Sequence, residues 1–230
     1  MITKTLEESL GLHFKNPELL REALTHRSYL NENPRERVRD NERLEYLGDA
    51  VLELVVSEFL FEKFPDREEG ELTSIRAALV NYQMLGLVAK DINLQKYILL
   101  SRGEAKDTGK AREVIMANAL EALIGAIYLD QGYAKAKEAL AQILFPKLDE
   151  VIEKGLYKDP KSLLQEIVQE EWRVTPNYKV IAETGPDHQK LFVVGVYFGE
   201  ELKEKGEGSS KQEAESNAAA RLLERLEIRK

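Results

Sequence analysis

No cysteine occurs in these 230 residues, which excludes disulfides, thiolate nucleophiles and zinc sites built on sulfur. Histidine is nearly as scarce: His13, His26 and His188 stand far apart, which argues against a histidine-rich metal centre. Any bound metal would take oxygen ligands, the preference of magnesium and manganese. No run approaches eighteen apolar residues, so no membrane span is expected. The opening MITKTLEESLGLHF lacks the continuous apolar core of a signal peptide, and a cytoplasmic protein is expected from it. Positive charge is in deficit, with 33 Lys and Arg against 41 Asp and Glu, a net of −8. That balance argues softly against a nucleic-acid partner, because total charge does not report local patches.

What is present reads as two domains. Residues 1–152 read as nearly all helix. KNPELLREALTHRSYL opens with Asn16 as N-cap and Pro17 at the first helical position, and Leu20, Ala23, Leu24 and Ser28 follow at helical spacing. DNERLEYLGDAVLELVVSEFLFEKF carries a wide apolar stripe through Leu44, Leu47, Val51, Leu54, Val55 and Leu60. Helical patterns continue through LTSIRAALVNYQMLGLVAKDI, AREVIMANALEALIGAIYLDQG and YAKAKEALAQILFPKLDEVI. Turns are expected at Pro65 and Gly70, at Gly103 and Gly109, and at Gly132. A short linker is expected over 153–157. Residues 158–227 then read as helix, three strands and helix, a small α+β domain. Its last helix repeats Ala214, Ala218, Leu222 and Leu226 every four residues.

The stretch NERLEYLGDA, residues 41–50, sets Glu42, Glu45 and Asp49 at i, i+3 and i+7 on one face of an otherwise apolar helix. Taking a carboxylate out of water is costly without a partner. IMANALEALIGA repeats the pattern with Asn118 and Glu121 amid Ile115, Met116, Leu120, Leu123 and Ile124. Two such helices could build an oxygen site for a hard dication that activates water and neutralises phosphate. The plainer reading makes these acids a solvated face paired with Arg43, Arg76 or water.

ERLEYLGDAVL resembles the signature segment of the ribonuclease III family. ALTHRSY (23–29), GELTSIRAALV (70–80) and EALIGAIYLDQG (121–132) resemble its other blocks, in the expected order. The resemblance covers essentially the whole chain. It implies an all-α endonuclease domain that forms a homodimer and cuts double-stranded RNA with Mg2+, for which Mn2+ can substitute. The metal ligands would be Glu45, Asp49, Asn118 and Glu121, with Asp49 and Glu121 catalytic. Glu42 and Glu69 match further acids of the cleavage valley and dimer interface. Products would carry 5′-phosphate and 3′-hydroxyl ends with short 3′ overhangs, from ribosomal precursors and structured messengers. Position 118 departs from the family, which usually has Asp there. A neutral amide can coordinate magnesium but adds no charge. Two readings stay open: a working nuclease with an amide ligand, or a dimer that binds duplex RNA without cutting it.

Residues 158–227 resemble a double-stranded RNA-binding domain, which reads A-form shape rather than sequence. The resemblance assigns RNA contacts to Gln165, Glu166 and Gln169 in the first helix, and to His188 and Lys190 in a loop. It also assigns Ser210 and Lys211 at the start of the last helix. Gln212 stands where the family commonly has a second Lys, which predicts weaker binding and a shallower salt dependence.

Overall fold

A computed structural model of the chain describes residues 6–8, 10–186 and 190–227. It separates into two compact units, Met1–Tyr157 and Lys158–Lys230. His188 lies outside the described residues.

The first unit is helical. Its helices are α1 (Pro17–Ala23), α2 (Arg27–Glu32), α3 (Glu42–Lys63), α4 (Glu69–Val80), α5 (Tyr82–Asp91), α6 (Lys110–Gln131), α7 (Tyr133–Ile143) and α8 (Leu148–Glu153). The core is built on the middle of α6, which is apolar on nearly every side, as a segment enclosed by other helices must be. From Met116 to Ile127 every residue is buried except Asn118 and Glu121. Leu52, Val55 and Val56 of α3, Ile75 and Leu79 of α4, and Leu85 and Val88 of α5 close around it. Among the described residues no helix is long and apolar enough to cross a membrane.

Several long helical patterns turn out to be broken, each for a local reason. Asn16 caps α1, its side chain accepting from the N–H of Glu18. The helix then stops before Thr25 instead of running on to Leu30. There the Leu99 N–H donates to the Leu24 carbonyl at 2.8 Å, and the His26 N–H donates to the Leu99 carbonyl at 3.1 Å. Partners distant in sequence claim these groups, so local periodicity could not reveal the break. ALTHRSY is thus a structural joint: Thr25 is buried, and the Ser28 hydroxyl accepts from the N–H of Ser101 at 3.1 Å. Asn81 separates α4 from α5 by accepting from the N–H of Met84 at 2.8 Å, an N-cap inside an apolar run. Pro146 divides α7 from α8 through a 3-10 turn, Phe145–Lys147. Gly70, expected in a turn, instead lies in the first turn of α4.

Tyr157 donates its hydroxyl to Glu71 at 3.3 Å, within the first unit. The second unit comprises α9 (Pro160–Trp172), β1 (Pro176–Thr184), β2 (Leu191–Phe198), β3 (Glu201–Gly208) and α10 (Lys211–Glu227). The strands form one antiparallel sheet in the order β1-β2-β3. Leu164 and Val168 of α9 meet Val196 of β2 and Ala218, Ala219 and Leu222 of α10 in one core. The four-residue repeat of α10 is the face it buries. Gly206 permits the fit, since a methyl group there would lie 2.2 Å from the nitrogen of Ala218. Trp172, four residues after Val168 on α9, is 45% exposed and tilts against the Phe198 ring.

Candidate active site

The two acid-bearing helices, α3 and α6, meet main chain to main chain. A methyl group on Gly48 would lie 1.8 Å from the carbonyl oxygen of Glu121, and one on Gly125 would lie 2.3 Å from that of Leu44. Only glycine allows this approach. It seats Glu45 and Asp49, one turn apart and flanking Gly48, opposite Asn118 and Glu121. Sequence reasoning missed both glycines as architects of the site. Their position beside the acids in both motifs was the available signal.

The electrostatics follow from this convergence. Burial pushes the Glu121 carboxyl up to about 7, helped by the negative charges of Asp49 and Glu45. Burial also raises Glu45, as do Glu42 and Asp49, while a hydrogen bond from the Asn118 amide pulls it back. Thus Asn118 acts as a donor to Glu45. An amide can do this through its NH2 group, whereas an ionised Asp has only acceptors. No Lys or Arg figures among the groups that shift Glu45 or Glu121. Glu45 and Glu121 are therefore partly desolvated beside the exposed carboxylate of Asp49, and among the described residues no cation offsets them.

Glu42, exposed and paired with Arg27 at 3.0 Å, borders the group closely enough for its charge to raise Glu45. Glu69 is more remote, at the N-terminus of α4, where it accepts from the Thr73 hydroxyl at 3.0 Å. It borders an apolar groove with Leu54, Phe61, Phe64, Leu72 and Arg76.

The donor set of Glu45, Asp49, Asn118 and Glu121 is oxygen only, which suits a hard dication. Its unshared negative charge suits one too. Among the described residues, however, no three His, Cys, Asp or Glu side chains already form a group that could hold a metal ion. Like charges in a shared low-dielectric spot keep apart until something positive lies between them.

In the second unit, Gln165, Glu166 and Gln169 line one cleft on the exposed side of α9, with Ser162 and Glu170. Glu166 is held by Lys158 at 2.5 Å. The Ser210 hydroxyl accepts from the N–H of Glu213 at 3.1 Å, capping α10. Lys211 pairs with Glu183 at 3.2 Å and lies over the Phe192 ring. Lys190 is partly buried just before β2.

Comparison with known proteins agrees with this architecture. A family model described as Ribonuclease-III-like matches residues 16–148, and one described as double-stranded RNA binding motif matches residues 160–226. A Listeria monocytogenes protein named Ribonuclease 3 is 46% identical over 224 residues, 96% of this chain and 96% of that protein. A Borreliella burgdorferi protein of the same name is 43% identical over 220 residues, 96% of this chain and 89% of that one. Among solved structures, the nuclease domain of Campylobacter jejuni ribonuclease III is 45% identical with a TM-score of 0.56. It covers 62% of this chain and 97% of its own. With the paired acids of α3 and α6 in one unit and the helix-flanked sheet in the other, the chain belongs to the ribonuclease III family of endoribonucleases and carries a double-stranded RNA-binding domain.

Proposed function

We infer that this chain is a dimeric, Mg2+-dependent endonuclease of double-stranded RNA whose ion is held by Glu45, Asp49, Asn118 and Glu121. One observation carries the reading: burial and the charges of Asp49 and Glu45 push Glu121 up to about 7, with no cation beside it among the described residues. Carboxylates in that state gain most from an added dication, and Mn2+ would satisfy the same oxygen set. When bound, magnesium supplies neutralisation of phosphate charge and a more nucleophilic water.

The residues do the positioning. Gly48 and Gly125 fix the separation of the carrying helices, so the acids are placed by main chain. The Asn118 amide orients Glu45 and favours its ionised form. Glu121, its carboxyl pushed up to about 7 by burial and its neighbours, would hold a cation in its ionised form, so ion binding would favour release of its proton. The second unit holds the duplex by shape, through the α9 cleft and the start of α10. Products carry 5′-phosphate and 3′-hydroxyl ends, and the cytoplasmic substrates are ribosomal precursors and structured messengers, both as family membership suggests.

A homodimer is supported by α3 itself. Tyr46, Leu54 and Phe61 are 83%, 58% and 74% exposed, and their intervals of eight and seven put them on one stripe. Large apolar side chains exposed together mark a surface that a partner covers. The solved Campylobacter jejuni nuclease domain is described as having a region involved in dimer formation.

Incubation of the purified chain with long duplex RNA and Mg2+ tests the proposal. Cleavage is expected, and Glu121→Gln should abolish it while leaving duplex binding nearly unchanged. Intact RNA across a range of metal concentrations would favour the second reading, a dimer that binds duplexes without cutting. The neutral amide of Asn118, in contact with Glu45, is the observation behind that alternative.

A further inference from the structure

Residues 33–40 join α2 to α3 and, apart from a turn at Pro34 and Arg35, form no regular structure. Exposure alternates along them. Arg35, Arg37 and Arg39 are exposed, whereas Glu36, Val38 and Asp40 are partly buried. The inward residues are tied down. Glu36 pairs with Arg21 at 2.5 Å, and the Asp40 carboxylate accepts from the N–H of Glu42 at 3.3 Å. The N–H of Asn41 donates to the Thr25 carbonyl at 2.9 Å. With one side anchored, the alternation turns three guanidinium groups outward.

Among the described residues, none of these three arginines has an ion pair, hydrogen bond or aromatic partner. Arg21, Arg27, Arg67 and Arg225 each have a carboxylate. In a chain with eight more acids than bases, three neighbouring cations without one are a local reversal of the field. The plain alternative is a solvated loop, and location argues against it. Arg39 precedes Glu45 by six residues, a stretch that cannot exceed about 22 Å. The acids of α3 and α6 repel a phosphate backbone, so cations close by offset that repulsion where the strand must lie. The guanidinium fork also matches phosphate oxygens.

We propose that Arg35, Arg37 and Arg39 form a phosphate-contact strip by which the nuclease unit itself grips the backbone of duplex RNA beside its acids. The strip reads charge and not sequence. It rests on the duplex-RNA function proposed above and adds a second electrostatic anchor to the RNA-binding domain.

The test is the salt dependence of binding by the full chain to long duplex RNA in chelator, where no cutting occurs. The variant with Arg35→Gln, Arg37→Gln and Arg39→Gln should bind more weakly to two unrelated duplexes alike. Its plot of log affinity against log salt should be shallower by roughly one per arginine removed. The three corresponding Arg→Lys changes should keep most of the slope, since a point charge still meets phosphate. An unchanged slope in a folded Gln variant overturns the strip while leaving the function intact. Equal loss in the Lys and Gln variants overturns it as well, because fold and not charge would then be responsible. If the triple Gln variant does not fold, three single variants replace it, each expected to lose about one unit of slope. Three unchanged singles also overturn it. Absence of duplex binding by the unaltered chain overturns strip and function together.

Discussion

A methyl group on Gly48 would lie 3.0 Å from the nitrogen of Gly125, and one on Gly125 would lie 3.1 Å from the nitrogen of Gly48. The two glycines face each other across the α3–α6 contact, and the acids flank them. Separation at the site is therefore set by main-chain atoms, which cannot step aside as a side chain would.

Gly48→Ala should accordingly destabilise the nuclease unit by about 3 kcal/mol, the upper range for forced overpacking. For a unit of this size that lowers its Tm by roughly 6–12 °C. Gly70→Ala is the control. A methyl there meets nothing within 4 Å, and removing a helical glycine should stabilise by roughly 0.5–1 kcal/mol. Calorimetry of both variants decides.

Glu121 brings a pH dependence of definite sign. Its folded pKa of about 7 lies above the ordinary 4.5. Between those values the folded chain holds a proton that the unfolded chain has released. In chelator, this contribution to stability is fully present below about 4.5 and is lost as pH rises through about 7. Glu121→Gln should flatten that part of a Tm-versus-pH curve. A curve unchanged by the substitution would show that the carboxyl is not held up by burial.

Asn118→Asp adds a charge beside Glu45 and removes the amide donor. Affinity for Mn2+, followed by calorimetry, should rise on the order of tenfold, the size of effect seen for changes around metal ligands. Cleavage at limiting metal should rise with it. A modest gain at saturating metal identifies a working enzyme, and a gain from nothing identifies the non-cutting reading.

Lys211, at the start of α10 and part of the RNA contact proposed above, is engaged by Glu183 at 3.2 Å, so on that proposal the carboxylate competes with RNA. Glu183→Gln should strengthen duplex binding severalfold at most, the worth of an exposed ion pair. Filter binding at low salt measures it.

Phe61 is 74% exposed on the stripe it shares with Tyr46 and Leu54. Phe61→Glu should shift the chain from dimer to monomer in sedimentation and cost cleavage, with the helical content retained.

The shared face of Glu45 and Asp49 and that of Asn118 and Glu121 were legible in their helical spacing, whereas the assignment of a metal role to them came only from the resemblance to the family. The first two strands were legible in their Val, Tyr and Phe content, the third from the Gly-containing turn before it, and α10 in its four-residue repeat. The break at Thr25 was not, because Leu99 supplies it from 74 residues away. The break at Asn81 was written locally as a cap but hidden in an apolar run. The freedom of Arg35, Arg37 and Arg39 is likewise invisible in RERVR, since only the fold reveals which carboxylates are already taken.

Because the α3–α6 junction is built from glycine and peptide oxygen, it is indifferent to what stands at position 118. Asn and Asp have nearly the same shape, so exchanging one for the other asks nothing of the surrounding packing. The cost of the exchange is therefore electrostatic and not steric: an aspartate would lose the hydrogen bond to Glu45 and crowd one more negative charge against it, a cost that a bound dication would offset.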